Sequence, residues 1–264
     1  MVIFMRILIT GAASGIGYEL GKKLSKRRHT VYLTTHTTKQ LLRLKEKIKR
    51  DNINVLCFKM DIETDDINLV DKIKLDCLVN HAGIGIGGSI LYMNIDNLKK
   101  NYDVNIFASF KLLQKVYKNM ERDNINGKIF VTSSLAGSLP IPFLGCYTSS
   151  KAAISILTRT INEELKYLKS KISITLIEPG AYNTGFNKVM IENKEKYMNS
   201  DNKIYDNLES INKIQKNMFS LLESNNYSSL INKIIKNIES PKPKFLIREP
   251  ISQKIFTKLY KIFH

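Results

Sequence analysis

The chain is expected to fold as one α/β domain, a doubly wound parallel sheet of about seven strands with helices on both faces. Three observations predict it. Seven short, largely apolar runs recur along the 264 residues, helical patterns lie between them, and no linker-like stretch divides the chain. Parallel strands joined by right-handed crossovers then give a sheet covered on both sides.

The first run, residues 3–9 (IFMRILI), has the continuous apolar character of a buried parallel strand. It leads straight into Thr10-Gly11-Ala12-Ala13-Ser14-Gly15-Ile16-Gly17. Between a strand and a helix, Gly11 permits a tight turn, Gly15 lets backbone approach a pyrophosphate, and Gly17 allows close helix packing. The amides that open the helix meet the phosphates. Further strands are read at residues 30–34, 54–60, 75–80, 128–132, 172–177 and 244–247. Their carboxyl ends carry Thr10, Asp61, Asn80 and Ser134, on the edge where open parallel sheets bind ligands. Residues 101–120 read as one long helix and residues 147–166 as another. From residue 185 to about 240 the composition shifts to Asn, Lys, Ile and Met in loosely amphipathic segments.

Near the middle lies Tyr147-Thr148-Ser149-Ser150-Lys151, thirteen residues after Ser134. A helix puts residues i and i+4 on one face, so the phenol and the ammonium project to the same side. Lowering a tyrosine from ~10 to neutrality is worth roughly 4 kcal/mol. An ammonium ~4 Å away at an effective dielectric of ~20 supplies about as much. Ser134, at the end of a strand, would donate a hydrogen bond to an oxygen being reduced. The bland alternative is that the pair decorates a helix surface.

TGAASGIG, the NHAG motif Asn80-His81-Ala82-Gly83, Asn105, Ser134, YTSSK and the PGAYNT motif at Pro179, Gly180 and Thr184 occur in this order over residues 5–184. In this the chain resembles the short-chain dehydrogenase/reductase family. The resemblance implies a Rossmann-like domain and an enzyme acting on CH-OH/C=O with a nicotinamide acceptor. It implies Tyr147 as general acid or base, and Lys151 lowering its pKa and holding the nicotinamide ribose. Ser134 would orient the carbonyl and Asn105 hold a water that links Lys151 to solvent. Gly11, Ser14, Gly15, Ile16, Gly17, Asp61, Asn80, Ala82, Gly83, Tyr147, Lys151, Pro179, Gly180 and Thr184 would contact the cofactor, Asp61 at the adenine amino group. His81 stands where the family usually has Asn and is read as a backbone-stabilising residue. Residues 185–240 would close over substrate, and the helices at 101–120 and 147–166 would form a homodimer or homotetramer interface. Phe107, Phe110, Leu113 and Tyr117 are candidates for that face or for the sheet.

Cofactor choice is a matter of charge. An NAD enzyme places an acid about 20 residues beyond the glycine loop to hold the ribose hydroxyls. Residues 31–39 (VYLTTHTTK) contain none. A 2'-phosphate meets hydroxyl donors there and His36, so NADP(H) is favoured over NAD(H). The threonines could equally cap the following helix.

The formal net charge of +17 raises nucleic-acid binding. The lysines are spread over helices and no basic arm or zinc pattern accompanies them, so none is expected. Residues 250–264 form a basic amphipathic tail that could lie on an anionic membrane, seal a dimer or roof the pocket. Phe186, Val189, Met190, Tyr197 and Met198 could line that pocket or anchor a helix pair. The three cysteines have no paired or metal-like spacing, the histidines form no cluster, and there is no ~20-residue apolar run or preceding signal. A cytoplasmic carbonyl reductase without a metal is expected. The alternatives are an NAD-linked alcohol or hydroxysteroid-like dehydrogenase, a nucleotide-sensing binding module and a membrane-associated protein.

Overall fold

The computed structural model describes residues 4–65, 67–192 and 208–263, so the readings at Ile3, Tyr197, Met198 and His264 lie outside the described residues. Strands β1 (Arg6–Ile9), β2 (Thr30–Thr35), β3 (Leu56–Lys59), β4 (Cys77–Asn80), β5 (Lys128–Thr132), β6 (Ser173–Pro179) and β7 (Leu246–Glu249) form one sheet in the order β3-β2-β1-β4-β5-β6-β7. Every neighbouring pair is parallel. The strand order reverses between β1 and β4, which opens a crevice at their carboxyl ends.

The period-two pattern sorts the core into two layers. Ile7, Ile9, Val79 and Phe130 face one side, with Tyr18, Leu20 and Leu24 of α1 (Gly15–Ser25) and Leu44 of α2 (Thr38–Arg50). Leu8, Leu78, Ile129 and Val131 face the other, with Leu112, Val116 and Ile154. Each such aliphatic side chain, fully buried, contributes about 1.5–3 kcal/mol.

The helix read at residues 101–120 is longer and is not uniform. It comprises α3 (Ile95–Tyr102), six residues of π-helix (Asp103–Ala108) and α4 (Ser109–Arg122). The wide turn coincides with a buried polar knot. Asn101 and Asn105 both donate to Ser150 Oγ, at 2.9 and 3.0 Å, and Ser150 in turn donates to the Tyr147 carbonyl. α5 (Gly145–Tyr167) starts two residues before the tyrosine.

Beyond β6 come α6 (Phe186–Glu192), α7 (Leu208–Leu222), α8 (Ser228–Glu239) and, after β7, α9 (Ile251–Phe263). Leu230, Ile231, Ile234, Ile235 and Ile238 bury one side of α8 against the sheet. The Glu178 carboxylate, buried in β6, accepts from Arg248 of β7 and from Arg159 and Ser155 of α5, which ties the last strand to the sheet. Of the four apolar residues read on α4 and its approach, Leu113 is core and Phe110 and Tyr117 pack against it, whereas Phe107 is exposed.

Candidate active site

A cavity of about 1020 Å³ opens where the β1, β4, β5 and β6 ends meet, and it gathers most of the motifs on its wall. Gly11, Ser14, Gly15, Ile16, Ala82, Gly83, Ser134, Tyr147, Lys151, Pro179, Gly180 and Thr184 all line it. Gly17, His36, Asp61, Asn80 and Asn105 are not on that wall.

The glycine loop is shaped by backbone constraints. Gly11 has φ +65°, and a Cβ there would lie 2.8 Å from Ala82 Cα, so no other residue fits without moving the β4 loop. That loop is pinned by Thr10, whose hydroxyl accepts from the amides of His81 and Ala82, both at 2.9 Å. Gly15 is also left-handed, at φ +58°, and faces the Thr184 side chain. Open backbone at the start of α1, with no side chain to fill it, fits the pyrophosphate of a dinucleotide.

Asn80 lies buried behind the loop, its amide donating to Ser109 O and Oγ. The His81 ring meets a side chain and not the backbone: its Nδ1 lies 3.1 Å from Thr132 Oγ1, and desolvation, helped by the Lys151 charge, pushes its pKa down to about 4. Asn105 is held by the β4 loop, accepting from Ile84 N–H and donating to Ile84 O, each at 2.9 Å. At the other end, His36 Nε2 lies 3.0 Å from Asp61 Oδ2, bridging the ends of β2 and β3. Desolvation works against the Asp61 carboxylate, yet the Glu63 amide, Thr64 and His36 hold its pKa below the usual range. Thr37 caps α2 in a capping box with Gln40, whose side-chain oxygen accepts from the amides of His36 and Thr37.

Tyr147 and Lys151 lie on the face of α5 that looks into the cavity, and both are buried together with Ser134. Lys151 Nζ donates to Thr132 O at 3.1 Å and stands 5.8 Å from the Tyr147 ring centre. The spacing therefore brings them together, but the balance of charge differs from the one expected. Burial raises the Tyr147 pKa to about 12, with a hydrogen bond to Ser134 pulling it down, and burial lowers Lys151 to about 8. Desolvation is the leading cause of both shifts, and the ammonium donates to a backbone carbonyl. Ser134 Oγ donates to Pro179 O at 3.3 Å and accepts from Ala136 N–H at 3.1 Å.

The opposite wall is apolar, formed by Phe186, Val189 and Met190 of α6, Met218, Phe219, Leu221 and Leu222 of α7, and Gln253, Phe256, Thr257 and Tyr260 of α9. Phe186 sits 5.5 Å from the Tyr147 ring, centre to centre. No α7 residue was singled out in the sequence, and for α9 roofing the pocket was one of three readings, because amphipathic spacing does not say which face meets the cavity. Asn101 and Ser150 escaped the sequence reading, although two asparagines four apart on an otherwise amphipathic helix were a visible signal. Among the described residues no group of side chains could hold a metal ion, and no helix is long and apolar enough to cross a membrane. Cys146 is buried, its pKa raised to about 12 by desolvation, as a packing residue requires.

The geometry agrees with comparisons to known proteins. Residues 5–195 match the model of the short chain dehydrogenase family. The chain is 31% identical over 198 residues to a probable short-chain type dehydrogenase/reductase of Helicobacter pylori, covering 72% of this chain and 69% of that one. It is 29% identical to a 3-ketodihydrosphingosine reductase of Bacteroides thetaiotaomicron, covering 68% and 65%, and 30% identical to an NADPH-dependent 3-dehydrocapnine reductase of Ornithobacterium rhinotracheale, covering 67% and 65%. The aligned part is thus about two thirds of each relative's length. A Burkholderia phymatum short chain dehydrogenase/reductase, solved with NAD, superposes with a TM-score of 0.80 at 21% identity, covering 97% of this chain and 92% of that one. The chain belongs to the short-chain dehydrogenase/reductase family. It is a nicotinamide-dependent oxidoreductase acting on CH-OH/C=O.

Proposed function

We propose that the protein is an NADP(H)-dependent carbonyl reductase, interconverting a carbonyl and a secondary alcohol with Tyr147 as the general acid. The observation that carries this reading is the convergence of Ser134, Tyr147 and Lys151 on one cavity wall beside the glycine loop. The loop, with Ser14, Ile16 and Gly17, would hold the pyrophosphate. Ala82, Gly83, Lys151, Pro179, Gly180 and Thr184 would hold the nicotinamide half, and Asp61 the adenine. The nicotinamide supplies the hydride when bound.

Tyr147 keeps its proton at Oη through neutral pH because burial disfavours the phenolate, which suits a proton donor to a carbonyl oxygen. Ser134, its neighbour, is placed to hydrogen-bond the same oxygen. Lys151, held by the Thr132 carbonyl, keeps positive charge close to the phenol below about pH 8 and would refill its proton through a water held by Asn105. Phe186, Met190 and Phe219 keep water from the reacting carbon. Residues 185–240 would thereby act as the substrate cover.

NADP(H) is supported by the acid-free end of β2 and by a relative named for NADPH. His36, seated between Asp61 and the surface, would meet the 2'-phosphate. Free thiols at Cys57, Cys77 and Cys146 support a cytoplasmic setting, and exposed Phe107 of the π-helical segment with Ile156 and Leu157 of α5 supports a homo-oligomer through those two elements. Turnover of a panel of ketones with NADPH and with NADH tests the reading. Oxidation of NADPH by at least one ketone, lost in Tyr147→Phe, is expected; a strong preference for NADH overturns the cofactor choice.

A further inference from the structure

We propose that α9 and the end of α7 form a docking face for an anionic lipid surface, through which a long-chain carbonyl compound passes from the bilayer into the cavity. The substrate half of this inference rests on the reductase reading; the docking half does not.

The cavity mouth is rimmed by side chains that belong to the pocket and to the surface at once. Leu221 is 86% exposed and Phe256 55%, yet both line the cavity. Next to Phe256, α9 carries an apolar stripe that is exposed among the described residues. Ile251, Ile255 and Leu259 recur every four residues and are 57%, 53% and 49% exposed. The side of α9 turned inward holds Gln253, Thr257 and Tyr260, so its role as a cavity wall leaves the stripe free. Gln253 Nε2 donates to Leu222 O at 2.6 Å, which joins the α7 end to α9 and makes the two exposed surfaces continuous.

Charge selects the occupant. Lys254 and Lys258 flank the stripe, are exposed, and form no ion pair among the described residues. A second copy docked by two-fold symmetry would set this cationic face against itself and close the mouth. A nucleic acid would leave the stripe uncovered. An anionic bilayer satisfies both features, apolar side chains entering below the headgroups and lysines meeting the phosphates. The greasy rim then gives a lipid-borne ketone a path that avoids water.

Co-sedimentation with phosphatidylcholine vesicles, with and without phosphatidylglycerol, tests the docking. The protein should bind only the anionic vesicles and leave them at high salt. Ile255→Glu with Leu259→Glu should weaken binding about tenfold or more, while NADPH binding and the circular dichroism spectrum stay unchanged. Lys254→Glu with Lys258→Glu should remove the preference for phosphatidylglycerol. Wild-type protein that ignores anionic vesicles overturns the proposal, as does full binding by the Ile255/Leu259 variant or a solution dimer that this variant dissolves. For the substrate, methyl pentadecyl ketone in vesicles should be reduced faster by wild type than by the Ile255/Leu259 variant; equal rates overturn the delivery route. Vesicle binding without turnover of any carbonyl would instead refute the reductase reading and leave the docking face standing.

Discussion

The described residues before and after residue 184 close on the same cavity with different materials. The first region presents backbone, glycine and small polar groups fixed by specific hydrogen bonds, such as Thr10 to the amides of residues 81 and 82. The second presents Phe186, Met190, Phe219, Leu222 and Phe256, whose contacts are non-directional. A surface that grips by hydrogen bonds tolerates few sequences, and one that grips by dispersion tolerates many. This difference matches the extent of the family match, which stops at residue 195.

Substitutions can break or sharpen the contrast. On the polar side, Tyr147→Phe should lower kcat by about 10³-fold or more, the scale of a lost general acid, with the Kd for NADPH little changed; stopped-flow and equilibrium binding separate the two. Ser134→Ala should cost about 10²-fold in kcat by removing one donor to the reacting oxygen. Below both comes pH. Because burial lowers Lys151 to about 8 and keeps Tyr147 protonated to about 12, kcat/KM for reduction should fall as pH rises through about 8, where the ammonium is lost, and not with loss of the phenol proton. Ser150→Ala should cost about 1–3 kcal/mol of stability, as two buried amides lose their acceptor, read by denaturant unfolding. On the apolar side, Phe219→Ala should raise KM for a long-chain ketone about tenfold with kcat nearly intact. A kcat loss equal to that of Ser134→Ala would show that both regions act on the transition state.

All seven strands were legible because each is a short apolar run bounded by turn residues, whereas the order β3-β2-β1-β4-β5-β6-β7 was not, since handedness alone leaves the neighbours open. The glycine loop and the Tyr147–Lys151 pair were legible because their geometry is local, set within one turn and one helix. The π-helical segment was not, since it depends on Asn101 and Asn105 meeting Ser150 from an element 45 to 49 residues away. The effect of burial on the tyrosine was not legible for a similar reason. Spacing gives the distance between a phenol and an ammonium, whereas desolvation depends on everything packed around them. The facing of α7 and α9 was unreadable because both sides of each helix carry apolar residues.

Gln253 reaches two segments from one side chain. Its carbonyl oxygen accepts from Ala181 N–H at 2.7 Å while its amide holds Leu222 O, and a Cβ on Gly180 would collide with it. The tail is thus buckled to the loop after β6 and to the roof helix simultaneously. For chimaeras this sets a rule: a tail transplanted from a relative brings a working roof only if it carries an equivalent amide, and one lacking it would loosen the floor near Thr184 as well as the cover.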